Sequence, residues 1–392
     1  MIATWGASSG INQFLTFSLP LGDLGAGAVD TTPVGAAGDG MPTFTRATVA
    51  WTKLSTGLWA SVASGTARSC YLGATTAVGD YGGYLAEGAG TQLVTPTASI
   101  RDMTDAAWVA GATMTVAKDG TGIDGAANSC SRLTGGAVAA TNTIFQTLVA
   151  AATSRTYSVW LKRVTGTGVI NITQDGGVGY TDVTSQINAS TFTRVSLTAS
   201  QLNAVFGIQV VTDTDVILAD FNQFEARAFA TSPMASAGAA RNADVLSYVN
   251  TGNFSDANGS VYAEVNFTTA SADIANTRIV SVSANGNPLM VNNPTLNTFQ
   301  IQDSTSNIAD TIVAVAGTQY KIASSWATGG ALALYSQGVA ATPGSYDGTF
   351  SPSAIGIGQR IGTGLAQPFA CHRNIRIYSR ALTDAQLQAM TT

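Results

Sequence analysis

The sequence is short of charge. Lys, Arg, Asp and Glu together make up 10% of its 392 residues, against about 25% in an ordinary globular domain. Basic side chains number 18 and acidic ones 23, for a net charge of −5. The only lysines are Lys53, Lys118, Lys162 and Lys321. No nucleic-acid partner is expected, because there is no excess of cations to displace counterions from phosphates. Histidine is nearly absent, with His372 alone, and the cysteines are Cys70, Cys130 and Cys371. Zinc sites draw on clusters of these residue types, so neither a metal nor a cofactor is expected. A Ser-His-Asp hydrolase would have to use His372. That residue lies in an alternating stretch, 369–378, which reads as a strand with a structural or surface histidine. There is no Gly-x-Ser-x-Gly on a strand-to-helix elbow, no P-loop and no Gly-x-Gly-x-x-Gly between a strand and a helix. No apolar run approaches the ~20 residues of a spanning helix, so membrane insertion is not expected. Residues Met1 to Gly6 show neither a basic n-region nor an apolar h-region, and no signal peptide is expected. The three separated cysteines then read as small buried hydrophobes in a reducing compartment.

Apolar residues are plentiful, at 45%, which is enough for a core and argues against disorder. Length sets a prior of two or three domains at roughly 150 residues each. The dominant pattern is short alternating runs broken by Gly, Asn, Asp and Ser, the signature of an all-β sandwich or barrel. In Ser260–Phe267, one face carries Val261, Ala263, Val265 and Phe267. Tyr157, Val159 and Leu161 share a face in 155–162, as do Tyr320, Ile322 and Trp326 in 319–326. A period of two is what a half-buried strand requires. Helix signals are few. At the C-terminus, Thr383 with Gln386 three residues later forms a capping box ahead of Leu387 and Met390. A second helical turn is expected over Thr198–Asn203. Domain boundaries are suggested near Leu93–Thr97 and after the run Phe229–Pro233 with its small-residue sequel Met234–Ala240. The first 45 residues, rich in Gly, Ala and Thr, read as an extended or loop-rich arm.

Several motifs resemble a module arrangement of bacteriophage virion proteins of the tail-fibre, head-fibre and carbohydrate-binding structural type. The first set is Phe44-Thr-Arg-Ala-Thr48, then Gly57–Arg68, then Gly83–Leu93. The chain departs from that pattern after Arg68, where Ser-Cys-Tyr-Leu-Gly73 replaces an acidic run. The second set resembles a jelly-roll module: Met103–Trp108, Lys118–Gly125, Tyr157–Lys162, Asp215–Glu225 with Phe229–Pro233, and the exit Arg241–Leu246. The third, Asn374–Leu387, resembles the closing strand and helix of a concanavalin-A-like, laminin-G-type sandwich.

The resulting expectation is an all-β chain of two tandem antiparallel β-sandwich (jelly-roll) domains. A loop-rich N-terminal anchoring segment (1–95) precedes a carbohydrate-binding-like jelly roll (96–246) and a concanavalin-A-like sandwich (247–392) with a short C-terminal helix. The resemblance implies a non-enzymatic virion-surface protein assembled in the host cytoplasm. It would dock onto capsid or tail proteins, display its sandwiches for decoration or host-glycan attachment, and form a homo-oligomer, with a trimer as the working guess. A sandwich-fold glycan depolymerase is the alternative, and a secreted lectin would need an export signal.

Aromatic rings stack on pyranose faces while nearby polar groups fix the hydroxyls. Trp108, Trp160 and Trp326 read as packing residues. Tyr180 with Asp182 on a Gly-rich loop, and Tyr346 with Asp347 in a Tyr-Asp-Gly turn, are the candidate ligand-binding residues. Turn chemistry is the plainer role for both pairs. Asp213 and Asp215 could offer oxygens to Ca²⁺, but calcium needs six to eight, and a solvated hairpin is the simpler reading.

Overall fold

The computed structural model describes residues 15–19, 42–54, 56–71, 81–236, 240–269, 277–292, 298–303 and 305–392. The protein is all-β, built as two antiparallel β-sandwiches with one short helix at the C-terminus.

The middle sandwich has two five-stranded sheets. One runs Thr193–Gln201, Thr153–Thr165, Val216–Glu225, Cys130–Thr134, Thr115–Gly120. The other runs Thr181–Asp182, Ile170–Thr173, Val205–Val210, Thr143–Thr147, Val109–Ala110. Alternation sorts each strand's side chains. Tyr157, Val159 and Leu161 point inward, fully buried, and meet Leu133, Ile217, Phe206 and Ile208 in one core. Trp108 lies in the same core; its indole N–H donates to the Ser99 carbonyl at 2.9 Å, and its ring meets Phe206 edge-on. The turn expected over Thr198–Asn203 is mostly strand, because Thr193–Gln201 pairs along its length with Thr153–Leu161. Thr198 and Thr156, opposite one another, share a hydroxyl hydrogen bond of 2.7 Å.

The C-terminal sandwich packs a nine-stranded sheet against a seven-stranded one. Asn258–Phe267 is flanked by Gln319–Ala327 and Ala370–Tyr378. Its inward residues Val261, Ala263, Val265 and Phe267 join Ile322, Trp326 and Phe299 in the core. Its outer face is covered too: Tyr262 packs with Tyr378, Leu382 and Leu387 beneath the helix Asp384–Thr391. The expected capping box starts that helix, with Thr383 accepting from the Gln386 backbone and Gln386 accepting from that of Thr383.

The described strands of 43–86, placed by the sequence within the anchoring arm, are woven into both sandwiches. Thr43–Thr45 pairs with Val245–Tyr248 in the seven-stranded sheet. Ser69–Tyr71 and Tyr81–Ala86 extend the nine-stranded sheet beside Ala370–Tyr378. Leu15–Leu19 also pairs with that closing strand. Between them, the hairpin Ala50–Lys53/Trp59–Val62 lies on the middle sandwich. Residues 1–14, 20–41, 55 and 72–80 of the expected arm lie outside the described residues.

Two cysteines also differ from expectation. Cys70 and Cys371, 301 positions apart, form a disulfide with a Cα–Cα distance of 6.2 Å. The pairing follows from the strand contacts just described, which bring both residues against Leu85 in one buried cluster. Cys130 is free and buried, and burial pushes its thiol up to about 12.

The motif residues of the junction converge on a buried ionic network. Arg46 donates to Asp244 at 2.8 Å, and Arg68 reaches both Asp244 and Glu87, the latter at 2.8 Å. Arg241 pairs with Glu87 at 2.8 Å, and the Ser232 N–H donates to the same carboxylate at 3.0 Å. All six side chains are buried. Burial resists the charge on Glu87, but Arg241 and then Arg68 outweigh it and hold the carboxyl at about 2.

Candidate functional site

A groove of about 790 Å³ opens on the outer face of the first five-stranded sheet, under the 50–62 hairpin. Its floor follows from strand register. Arg132, Leu218 and Lys162 stand in one row across three adjacent strands. Trp160 precedes Lys162 by two positions and therefore shares its face. The inward neighbours Leu133, Ile217 and Leu161 are fully buried in the core. The outward row is left for something else.

The wall is Trp59. The hairpin turn is closed by the Leu54 N–H donating to the Leu58 carbonyl at 2.8 Å, and Trp59 N–H donates to the Ile123 carbonyl at 3.0 Å. This pins the indole against Trp160, edge to face, with ring centres 5.3 Å apart. Arg194, opposite Trp160 in the neighbouring strand, places its guanidinium 5.9 Å from the Trp160 ring centre. It also donates to the Ser158 hydroxyl at 2.9 Å. Both tryptophans are half-buried, and half-buried Phe192 completes the aromatic lining.

The charged part of the lining is mostly basic. Lys53 stands opposite Trp59 in the hairpin. Arg132 pairs with Asp119 at 3.1 Å, with both side chains nearly half exposed. Arg163 is committed inward: it pairs with Asp215 at 3.1 Å and donates to the Gly168 carbonyl at 2.8 Å. Lys162 makes no ion pair among the described residues. A flat aromatic corner with polar groups around it suits a sugar ring, whose faces are apolar and whose edge is hydroxylated.

The sequence-expected residues lie elsewhere. Tyr180, 38% exposed, and exposed Asp182 sit on and beside the edge strand Thr181–Asp182 of the other sheet. The loop before them is closed by Asp175, which accepts from the Gly179 N–H and the Thr173 hydroxyl. Gly177 has φ +88°, and a Cβ there would meet the Tyr180 hydroxyl, so glycine lets the ring fold over its own turn. Asp182 accepts from the Thr184 N–H at 2.8 Å, a turn contact that lowers its pKa together with the Thr184 hydroxyl. Tyr346 is buried, and its hydroxyl donates to Asp256 at 2.9 Å. Its ring packs on Phe350, so it belongs to the core. Asp347 accepts from the Thr349 N–H at 3.0 Å and caps the turn. The two pairs lie in different sandwiches and form no common site.

Asp215 is spoken for by Arg163 and by the Gly168 N–H at 2.7 Å. Among the described residues no group of three or more His, Cys, Asp or Glu could hold a metal ion. His372 is fully buried.

No protein-family model matches the chain, and no curated protein matches it. Solved structures do resemble parts of it. The CBM40 domain of a Ruminococcus gnavus sialidase, bound to α2,3-sialyllactose, aligns over 37% of this chain and 91% of its own, at 13% identity and a TM-score of 0.30. Domain 4 of AbnA, an extracellular arabinanase from Geobacillus stearothermophilus in complex with arabinotriose, covers 38% and 73%, at 15% identity and 0.29. A heptameric SAP-like pentraxin from Limulus polyphemus covers 35% and 70%, at 18% identity and 0.26.

Proposed function

We propose that this chain is a non-enzymatic bacteriophage virion-surface protein whose middle sandwich holds a host-surface glycan in the Trp59–Trp160 groove. The observation that carries the binding reading is the groove itself. Two half-buried indoles are fixed at an angle by a hairpin and a strand, with polar side chains around them. The virion assignment is supported by the motif resemblance. Residues from its motifs, Arg46, Arg68, Glu87, Ser232, Arg241 and Asp244, meet in one network that joins the hairpin segment to both sandwiches.

Stacking on a single site is weak. Many copies on one particle raise the effective concentration and turn weak contacts into firm attachment. A closed homo-oligomer on a capsid or tail would supply that multiplicity. Binding is favoured over cleavage by the groove's chemistry. Glycoside hydrolysis ordinarily uses two carboxyl groups across the scissile bond. Among the described residues the lining offers one, Asp119, tied to Arg132.

The test is direct. Wild-type protein should bind a panel of bacterial capsular and lipopolysaccharide preparations without releasing reducing ends, and Trp59→Ala should weaken binding by about tenfold or more. Steady release of reducing ends would replace the binding reading with the depolymerase. Labelled protein absent from imaged particles would remove the virion assignment.

A further inference from the structure

We infer that the groove selects carboxylated saccharides, with Lys162 as the residue that receives the carboxylate. This deepens the glycan-binding reading and rests on it. The chain as a whole is acidic, with a net charge of −5 and only 18 basic residues. Yet the groove lining gathers Lys53, Lys162, Arg132 and Arg163 against Asp119 alone. That imbalance stands out on a protein whose surfaces are otherwise poor in charge.

Three of these cations differ in how far they are committed. Arg163 is spent on buried Asp215. Arg132 is engaged with Asp119 in an ion pair exposed to solvent, a kind worth little and readily exchanged. Lys162 stands one row from Trp160 on the same strand face, half-buried and without an ion pair among the described residues. A half-buried ammonium beside an aromatic floor is an unfilled electrostatic position: an anion there would recover Coulomb energy at reduced dielectric. The indoles require a ring with an apolar face, and the ammonium requires an anionic substituent on it. A uronate-type sugar carries both.

The experiment uses the full chain and acidic capsular polysaccharides, each presented native and after chemical reduction of its carboxyl groups to alcohols. The native polymers should bind at least tenfold more tightly than their reduced forms. Raising salt from about 0.05 to about 0.5 M should erase most of that difference. Lys162→Gln should reproduce the loss and Lys162→Arg should restore it, with melting temperatures near wild type. If reduced and native polymers bind equally and Trp59→Ala weakens both, the glycan site stands and the carboxylate selectivity is wrong. If neither form binds, both readings fall. Single-stranded DNA that binds as tightly as the acidic polymers, with the same Lys162 dependence, would overturn the assignment in favour of a general polyanion site.

Discussion

The junction and the groove are made from the same kinds of residue and are put to opposite use. At the junction, Arg46, Arg68 and Arg241 face Glu87 and Asp244 in full burial, and each is paired. In the groove, Lys162 and Arg132 line a half-open cleft beside Trp59 and Trp160, with one exposed carboxylate in the lining. A buried charge must be paired within the fold, or the fold fails. A cation at the edge of a cleft can leave its pairing to a ligand. The residues that look most conspicuous as a charged cluster are therefore the structural ones, and the sparser set is the one open to binding.

Breaking the junction should have the largest effect. Asp244→Ala strands Arg46 and Arg68 without their shared carboxylate and is expected to cost about 3–5 kcal/mol. Lys162→Gln should shift stability by no more than about 0.5 kcal/mol. Chemical denaturation of the two variants side by side checks the contrast. Equal, small losses would mean that the junction does not hold the sandwiches together.

The disulfide comes next. Cys70 and Cys371 tie the hairpin segment to the closing strand across 301 residues of chain. Cys371→Ser should cost about 2–4 kcal/mol, and wild-type protein should lose a similar amount on reduction. Insensitivity to reductant would show that the strand pairing suffices alone.

His372 is fully buried, and burial holds its imidazole down at about 3, against 6.5 in the open chain. The folded state then binds fewer protons than the unfolded one between these values. Stability is complete above about 6.5 and falls as pH drops toward about 3, by on the order of a few kcal/mol. Glu87, held at about 2 against 4.5, acts in the same direction at lower pH. Asp310, pushed up to about 6 from 3.8 by burial, opposes both between those values. The comparison with His372→Leu therefore isolates the histidine: its stability should slope less between pH 3 and 6.5 than that of the wild type. An unchanged slope would contradict the buried neutral imidazole.

What could be read from the sequence was local. The alternation of Tyr157, Val159 and Leu161 marked a strand face, and Thr383 with Gln386 marked the helix start; both stand in the structure. What could not be read was long-range. Arg46 and Asp244 are 198 residues apart, and no periodicity links them, although both lie in motifs singled out by resemblance. The groove arises where a hairpin from 50–62 crosses a sheet begun at 115, so Trp59 and Trp160 became a pair only in three dimensions. Tyr346 reads as a turn residue because Asp and Gly follow it, but its hydroxyl has a buried partner, Asp256, ninety residues earlier.

The most direct test sets the groove against the exposed tyrosine. Trp59→Ala and Tyr180→Ala are prepared in parallel and titrated with the host polysaccharide that the wild type binds. The groove account predicts that Trp59→Ala loses about tenfold or more in affinity while Tyr180→Ala binds as the wild type does. Loss confined to Tyr180→Ala, with Trp59→Ala unaffected, would contradict it and move the site to the opposite sheet.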